Sequence, residues 1–327
     1  MAKVLSRAAS AIASIATGLT AVHAAEPAAS YPSKPVRAIV GYAPGGGSDI
    51  MARIVAQELT KTLGQQFIVE NRAGAAQNVA AEFIARSPAD GYTLFMSSAA
   101  LGVNISLYPK INYHPVKDFA PAALFAISPN LLITHPSLPP KTLKDFLAFA
   151  KQNPNKLNYS SSGSGSTQHL SGEMLKVMTQ IGITHVPYRG TAPSITALLS
   201  GEVEFSFSNI PSVIGYLKSN RLRAIAITSA KRSPLLPQLP TVIESGVPGF
   251  ETATWYGTLA PAATPRDIVA KLNTTINNIV KSAEFSQRLA QLGADPVIES
   301  PEYFARFLAQ EIERWGKVVK ASGAKPE

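Results

Sequence analysis

The turn Gly-Tyr-Ala-Pro-Gly-Gly-Gly-Ser at residues 41–48 constrains the fold more than any other feature of the chain. The apolar run 36–40 before it predicts a strand, and apolar residues at helical spacing after it predict a helix over 50–63. The first N–H groups of such a helix have no intrahelical partner. Together with the helix dipole they form an anion site without a charged side chain. The alternative is a turn that uses glycine only for its backbone freedom.

Three later segments repeat this order of strand, small-residue turn and helix. Their turns are residues 71–78, 160–167 and 188–193. Because open α/β sheets bind ligands beyond the carboxyl ends of their strands, the four turns predict a shared cleft. We therefore expect an α/β fold in which two domains hold an anion between opposed helix N-termini and close like a clamshell.

The length of 327 residues also favours two domains over a single core. Strand-like pieces on both sides of Ser128-Pro129-Asn130 predict a first crossing between the domains, and residues 254–259 predict a second. These crossings assign residues 31–128 and 255–327 to domain 1 and residues 129–254 to domain 2.

Residues 1–24 have the pattern of a secretory signal peptide. Lys3 and Arg7 precede an uncharged apolar run, and a cleavage site follows at Ala24. The alternative is a membrane anchor, but the run is short and rich in alanine for a span of about 30 Å of hydrocarbon. We expect the signal peptide to be cleaved and the mature chain to be exported.

The composition excludes several classes of function. Without cysteine there is neither a thiolate metal cluster nor a cysteine nucleophile. The 30 Lys and Arg against 21 Asp and Glu suit an anionic ligand. They are spread along the chain, so nucleic acid is not an expected partner. The histidines show no metal-ligand spacing, and neither a metal nor a cofactor is expected.

A hydrolase is the competing interpretation, because residues 160–166 are rich in serine. That segment has no Gly-x-Ser-x-Gly nucleophile elbow. The sequence also shows no phosphate loop followed by lysine, no His-Glu-x-x-His and no ordered dinucleotide-binding glycines. Helix starts lined by glycine and serine bind an anion without a general base. A binding protein is therefore favoured, and no catalytic residue is assigned.

Seven motifs resemble those of the Bug family, the periplasmic solute-binding receptors of tripartite tricarboxylate transporters. They begin at Tyr42, Val69, Asp90, Tyr159, His185, Leu239 and Trp255, and read YAPGG, VENRAG, DGYTL, YSSSG, HVPYRG, LPTVIESG and WYG. The resemblance covers the mature chain and implies a two-domain type II periplasmic-binding-protein fold with two crossover strands. It further implies a periplasmic monomer, a small carboxylate ligand and membrane subunits of the transporter as partners. A periplasmic carboxylate sensor that serves a signalling system is an open alternative.

The resemblance also assigns ligand contacts to residues of both domains. In domain 1 they are Tyr42, Ala43, Pro44, Gly45, Gly46, Ser48, Asp49, Ala75, Gln77, Asn78, Ser97 and Ser98. In domain 2 they are Ser162, Gly163, Ser166, Thr167, Gln168, Tyr188, Arg189, Gly190, Thr191, Ala192 and Ser208. The contacts are expected to be backbone N–H groups, small polar side chains and bridging waters.

The sequence departs from the family pattern in two places. Ala76 and Gln77 stand where the family often has two glycines, and we expect the larger side chains to reshape or fill part of the pocket. Ser208 stands where the family commonly has Asp. Since serine offers no carboxylate to pair with an amine, an amino-acid ligand is slightly disfavoured against a plain or aromatic carboxylate.

Some of the assigned residues have alternative roles. Asp49 is favoured as a cap of its own helix over a contact to ligand-bound water. Arg189 either clamps a carboxylate in bidentate fashion or points to solvent. Tyr42 and Tyr188 are expected to be walls of the cleft rather than acid–base groups.

Overall fold

The computed structural model describes residues 28–326, so the signal peptide expected at residues 1–24 lies outside the described residues. The strands β1–β10 of the described part are Val36–Val40, Phe67–Asn71, Thr93–Ser98, Phe119–Thr134, Leu157–Ser161, Ile183–Pro187, Phe205–Asn209, Arg223–Ile227, Ala253–Pro261 and Asp295–Pro296. Its helices α1–α10 are Gly47–Leu63, Asn78–Ala85, Ala100–Leu107, Leu143–Gln152, Thr167–Thr179, Thr191–Ser200, Ile210–Lys218, Arg266–Lys281, Ala283–Gln291 and Pro301–Ser322.

The strands form two parallel triplets joined by antiparallel strands. The order is β2-β1-β3-β9-β4-β7-β5-β6, with β8 and β10 also paired to β4. In the first triplet β1 lies between β2 and β3, and in the second β5 lies between β6 and β7. We call the parts built around these triplets the first lobe and the second lobe. Because β1 and β5 are the central strands, the turns that follow them occupy corresponding places at the carboxyl edges of the two triplets.

The long strand β4 passes from one lobe to the other. The sequence predicts two strand pieces broken at Ser128-Pro129-Asn130, and this break is wrong, because β4 is continuous over 16 residues. Pro129 is the last residue of β4 that pairs with β9, and Asn130 is the first that pairs with β7. Proline has no N–H to donate, so it fits the point where the strand changes partners. The domain boundaries expected at 128/129 and 254/255 fall here and near the start of β9, and they stay predictions.

Each lobe has an apolar core on both faces of its strands. In the first lobe α1 and α8 cover one face, and α2 and α10 cover the other. In the second lobe α4 and α5 lie on one face, and α6 and α7 on the other. A further cluster joins the lobes, since Leu170 of α5 packs with Val103 and Leu107 of α3 and with Trp315 of α10. No helix within residues 28–326 is both long and apolar enough to cross a membrane.

Helix α5 packs on β5 through a glycine, and this contact can be tested. A Cβ added at Gly172 would lie 2.3 Å from the ring of Tyr159. We expect Gly172→Ala to push the helix away from the strand and to lower the free energy of unfolding by about 1–3 kcal/mol. Gly215→Ala in α7 is the matched control, since nothing lies within 4 Å of its added Cβ.

The control substitution should raise the free energy of unfolding by up to about 1 kcal/mol, because alanine favours a helix more than glycine does. Urea unfolding of both variants measures the difference. Effects of the same sign and size at the two positions would contradict the packing of α5 on Tyr159.

Candidate functional site

A small cavity between the lobes, the inner chamber, collects the starts of five helices of the described chain. Helices α1 and α3 begin there from the first lobe, and α5, α6 and α7 begin there from the second. The lining residues are Tyr42, Gly46, Ser48, Ser98, Ala99, Ala100, Ser162, Thr167, Gln168, Thr191, Asn209 and Thr254. None of these described residues is charged. The unpaired N–H groups and the positive ends of the helix dipoles therefore favour an anion at this place.

The two lobes touch around the inner chamber. A Cβ added at Gly47 would lie 2.4 Å from the side chain of Asn209, and one added at Gly190 would lie 3.1 Å from Ala43. Glycine therefore allows the backbones of opposite lobes to approach closely. The space left inside has a volume of about 10 Å³, about enough for one water molecule. A ligand can enter only when the lobes separate, so the conformation is closed.

A second cavity, the outer chamber, lies next to the inner chamber, since Tyr42 and Ser162 line both. It has a volume of about 290 Å³. Its other lining residues are Gly41, Ala73, Gly74, Ala75, Ala76, Tyr108, Gly163, Tyr188 and Arg189. We call the two chambers together the cleft. Arg189 is the one charged side chain among the described residues that line it.

A larger groove, of about 560 Å³, lies on the second lobe beside the end of α7. Leucine and proline side chains form much of its lining, together with Arg223. The guanidinium of Arg223 donates hydrogen bonds to the carbonyl groups of Pro136, Leu138 and Pro140. Within residues 28–326 no helix begins in this groove, so the cleft is the better site for a small anion.

Asp49 holds the glycine turn in place. Its carboxylate accepts hydrogen bonds from the N–H of Gly45 at 3.0 Å, from Arg53 at 3.0 Å and from Asn71 at 2.9 Å. Burial raises the pKa of this carboxyl, but the hydrogen bonds outweigh burial and hold the pKa below its ordinary value. Asp49 thus supports the turn before α1 rather than capping an N–H group of the helix, since the start of α1 has no side-chain cap. Its contact with a ligand stays a prediction.

Gln77 fills space behind the cleft. Its buried amide donates to the carbonyl of Ser98 at 2.8 Å and accepts from the hydroxyl of Ser97 at 3.3 Å. Its Cβ occupies the position where a side chain at Gly41 would collide. Gln77 thus ties the end of β3 to the turn before α2, whereas Ala76 lines the outer chamber. Of the two larger residues at this departure from the family pattern, only Ala76 reaches the lining, and their effect on the shape of the pocket stays a prediction.

Two stacked histidines support the serine-rich turn before α5. The ring centroids of His169 and His185 are 4.0 Å apart. Nδ1 of His169 accepts from the N–H of Gly165 at 3.1 Å, and Nε2 of His185 is 2.6 Å from the hydroxyl oxygen of Ser161. Burial lowers the pKa of His169 to about 4 and also lowers the pKa of His185. Both rings are therefore neutral at neutral pH and hold the turn through hydrogen bonds.

Hydroxyl groups connect the crossing strands to α5. Thr254 of β9 is hydrogen-bonded to Thr167, and Thr252 is hydrogen-bonded to Ser171 at 2.7 Å. Asn130 of β4 donates to Ser171 at 3.3 Å. All five side chains are buried. The segments that join the lobes are thus bonded directly to the helix whose start lines the inner chamber.

The tyrosines of the cleft are not tuned for proton transfer. Burial raises the pKa of Tyr42. Burial, together with a hydrogen bond to Glu202, raises the pKa of Tyr188 to about 12. Both phenols therefore stay protonated at neutral pH and form walls, as expected. In the described part of the chain no group of three or more His, Asp and Glu side chains is placed to hold a metal ion.

The predicted contact residues divide into two groups. Those that line the cleft are Tyr42, Gly46, Ser48, Ala75, Ser98, Ser162, Gly163, Thr167, Gln168, Tyr188, Arg189 and Thr191. Those that lie beside or behind the lining are Ala43, Pro44, Gly45, Asp49, Gln77, Asn78, Ser97, Ser166, Gly190, Ala192 and Ser208. Within the second group Ser166 caps α5 by accepting from the N–H of His169. Direct contact of either group with a ligand stays a prediction.

Ser208 does not reach the cleft. It is buried in β7, and its hydroxyl has no hydrogen-bond partner within residues 28–326. The next residue, Asn209, is the N-cap of α7 and lines the inner chamber. The polar side chain that β7 brings to the cleft is therefore one residue later than expected. The argument against an amino-acid ligand stays a hypothesis.

Two of the five helix starts at the inner chamber are not predicted from the sequence. The missed helices are α3 and α7, and with them Ala99, Ala100 and Asn209. Helix α2 was expected to contribute to the anion site; no residue of its start lines the inner chamber, whereas Ala75 and Ala76 before it line the outer chamber. Its contact with a ligand stays a prediction. Asn209 followed by a proline in the first turn is a recognisable start signal for α7. Helix α3 begins without a capping side chain, so its sequence carries no such signal.

The turn before α2 contains backbone strain that can be relieved. Ala75, Ala76 and Gln77 have φ angles of 44°, 47° and 67°, a left-handed conformation that is unfavourable for residues other than glycine. We expect Ala75→Gly to raise the free energy of unfolding by about 0.5–1 kcal/mol. Ala148→Gly, at another exposed alanine, in the middle of α4, should lower it by about 1 kcal/mol. Urea unfolding of both variants tests this. A lower free energy of unfolding at both positions would contradict backbone strain in the turn before α2.

His169 should make stability depend on pH. Because its pKa falls from 6.5 to about 4 on folding, the unfolded chain binds a proton in this window that the folded protein does not. The free energy of unfolding should therefore fall as the pH is lowered from about 6.5 to about 4, by on the order of 3 kcal/mol for this group. His169→Asn keeps an acceptor for Gly165 and removes the titration. Between about pH 7 and about pH 4.5 the free energy of unfolding of the variant should fall by less than that of the unaltered protein. An equal fall for the two proteins in urea unfolding would contradict the role of His169 in this pH dependence.

The chain matches one protein family over most of its length. Residues 51–324 match the model of the TctC family, described as the tripartite tricarboxylate transporter family receptor. Protein BugT of Bordetella pertussis is 38% identical over 298 residues, which cover 90% of this chain and 91% of that protein.

Solved structures show the same fold. Rpa4515 of R. palustris, with adipate, is 40% identical and superposes with a TM-score of 0.89 over 91% of this chain and 100% of that chain. MatC (Rpa3494) from Rhodopseudomonas palustris, with bound malate, is 34% identical, with a TM-score of 0.84 over 88% of this chain and 100% of that chain. The chain therefore belongs to the TctC family of receptors of tripartite tricarboxylate transporters, and its fold is the two-domain clamshell of periplasmic binding proteins.

Proposed function

We propose that the protein is a periplasmic receptor that binds a small organic carboxylate and delivers it to the membrane subunits of a tripartite tricarboxylate transporter. The observation that carries this proposal is the inner chamber, where helix starts from both lobes converge without a charged side chain. Two relatives that are 40% and 34% identical hold adipate and malate, which supports a carboxylate as the ligand. Export by cleavage after residue 24 and action as a monomer belong to the same proposal.

Binding and closure use the same groups. When the lobes are apart, the helix starts of each lobe face water. A carboxylate that enters is shared by the N–H groups of α1 and α3 on one side and of α5, α6 and α7 on the other. Closure then removes water from the charge–dipole contacts and so strengthens them. The movement requires the chain to bend where β4 changes partners and where it enters β9, since the lobes are joined at these two places.

The site is suited to binding rather than to hydrolysis. The buried histidines are neutral and face the turn before α5, and the phenols keep their protons at neutral pH. Asp49 is ionised, but its oxygens are engaged by Gly45, Arg53 and Asn71. None of these groups is placed as a general base for a nucleophile in the cleft. A sensor that passes the same ligand signal to a different membrane protein would use the same cleft, and the two roles differ in the partner that recognises the closed form.

Thermal unfolding with a panel of acids tests the proposal. The protein is refolded to remove carried ligand, and dicarboxylates, citrate, acidic amino acids and aromatic acids are added in turn. A ligand at about 100 times its Kd should add about 2.7 kcal/mol to the free energy of unfolding. The matched control is the primary amide of the acid that stabilises most, because it keeps the shape and loses the negative charge.

We expect one class of carboxylates to raise Tm and the amide to have little effect. Absence of a shift with every acid, in protein shown to be folded and free of ligand, would contradict a carboxylate receptor. An equal shift with the amide would contradict binding through charge.

A further inference from the structure

We propose that Tyr108 is a clasp, a residue whose hydrogen bond from one lobe to the other slows the release of every bound acid by the same factor. The hydroxyl of Tyr108 donates to the carbonyl of Ser164 at 2.9 Å. Tyr108 follows α3 in the first lobe, and Ser164 lies in the serine-rich turn before α5 in the second. The inference rests on the proposed function, and it concerns how long an acid is retained rather than which acid is bound.

The first lobe holds Tyr108 in a defined position. Tyr108 is the C-cap of α3, and its N–H donates to the carbonyl of Asn104 at 3.0 Å. Its ring packs on the apolar cluster that includes Leu107 of α3. Helix α3 in turn lies close against α10, since a Cβ added at Gly316 would be 3.1 Å from the hydroxyl oxygen of Ser106. The donor of the clasp is therefore fixed to two packed helices.

The acceptor belongs to a turn that the cleft uses. Gly163 and Gly165, on either side of Ser164, have φ angles of 123° and 102°, which glycine adopts without strain. The N–H of Ser166 donates to the carbonyl of Gly163 at 3.0 Å and so closes the turn. Ser162 and Gly163 of the same turn line the cleft. A bond to Ser164 therefore holds a segment that supplies part of the lining.

The hydrogen bond of the clasp exists only while the lobes are together. Beside it, a Cβ added at Gly165 would lie 2.7 Å from Oδ1 of Asn104 and 3.0 Å from the side chain of Leu107, so the lobes are in direct contact here. A hydrogen bond is lost once donor and acceptor separate beyond about 3.5 Å, so even a small opening movement breaks it. The hydroxyl of Tyr188, by contrast, donates to Glu202 within the second lobe, and that bond does not depend on closure.

A bond made only in the closed form affects release more than capture. An acid enters while the lobes are apart, before the hydroxyl and the carbonyl can meet. It leaves only after opening has broken the bond, so the cost of breaking it contributes to the barrier for dissociation. Affinity differences among variants of one site appear mostly in the dissociation rate. Loss of the clasp should therefore speed release and leave association nearly unchanged.

Release can be followed through the movement of the lobes. The chain has no cysteine, so Lys61→Cys and Ser200→Cys can carry a donor and an acceptor dye. Both positions are exposed near the ends of α1 and α6. These helices meet at their starts, where a Cβ added at Gly46 would lie 3.4 Å from Thr191 of the other lobe. The rise per residue limits the separation of the dye positions to about 40 Å, so energy transfer reports opening.

Stopped-flow mixing of the labelled protein tests the clasp. The protein is saturated in turn with adipate, malate, citrate, glutamate and nicotinate, and an excess of unlabelled protein then captures the released acid. We expect Tyr108→Phe to speed the loss of energy transfer by about 2- to 10-fold, the factor that corresponds to one hydrogen bond. The factor should be the same for each acid that binds, because the bond joins two groups of the protein.

Tyr31→Phe is the matched control. The hydroxyl of Tyr31 also donates to a backbone carbonyl, that of Gly91 at 2.7 Å, but both residues belong to the first lobe. Its loss should lower the free energy of unfolding and leave the release rates unaltered. Unchanged release from Tyr108→Phe, a factor that differs between acids, or an equal factor in Tyr31→Phe would overturn the clasp and leave the receptor standing. Absence of binding by all five acids to the folded, unaltered protein would overturn the proposed function, and the clasp with it.

Discussion

Backbone N–H groups that have no partner within their own helix are the constraint on which the described structure depends. A buried donor without an acceptor costs free energy comparable to a lost hydrogen bond, and here the starts of five helices within residues 28–326 converge on a space of about 10 Å³. Water or an anion must satisfy these donors. The topology produces the convergence, since the central strands β1 and β5 of the two parallel triplets each lead into a helix that points at the other lobe. The same arrangement that builds the sheets therefore builds the site.

Charged and bulky groups act behind the cleft rather than in it. Asp49 holds the glycine turn, Gln77 joins β3 to the turn before α2, and His169 holds the turn before α5. With these side chains in place, much of the lining can be glycine, alanine and serine, and the lobes can approach to contact distance. Arg189 is the exception, as a charged group at the outer end. Within residues 28–326 the rest of the lining consists of uncharged residues.

The fold and much of the site could be predicted because their signals are local. The glycine turn after β1 and the serine-rich turn after β5 each follow an apolar strand and precede a helix, so the strand–turn–helix pattern finds them. The break expected at Pro129 was wrong because proline usually ends a strand, and a change of ladder partner, which tolerates proline, leaves no mark in sequence. The orientation of the Gln77 side chain could not be predicted either, since it depends on the space beside Gly41, a residue distant from it in the sequence. The same holds for Ser208 and Asn209, because the sequence alone does not indicate which of these two neighbours faces the cleft.

A crystal structure of the protein with the acid that stabilises it most would test the central claim most directly. We expect a carboxylate group in the inner chamber that accepts hydrogen bonds from N–H groups at helix starts of both lobes, with the lobes closed over it. A carboxylate held only by side-chain cations, or bound in the groove beside Arg223 while the inner chamber contains water alone, would contradict it.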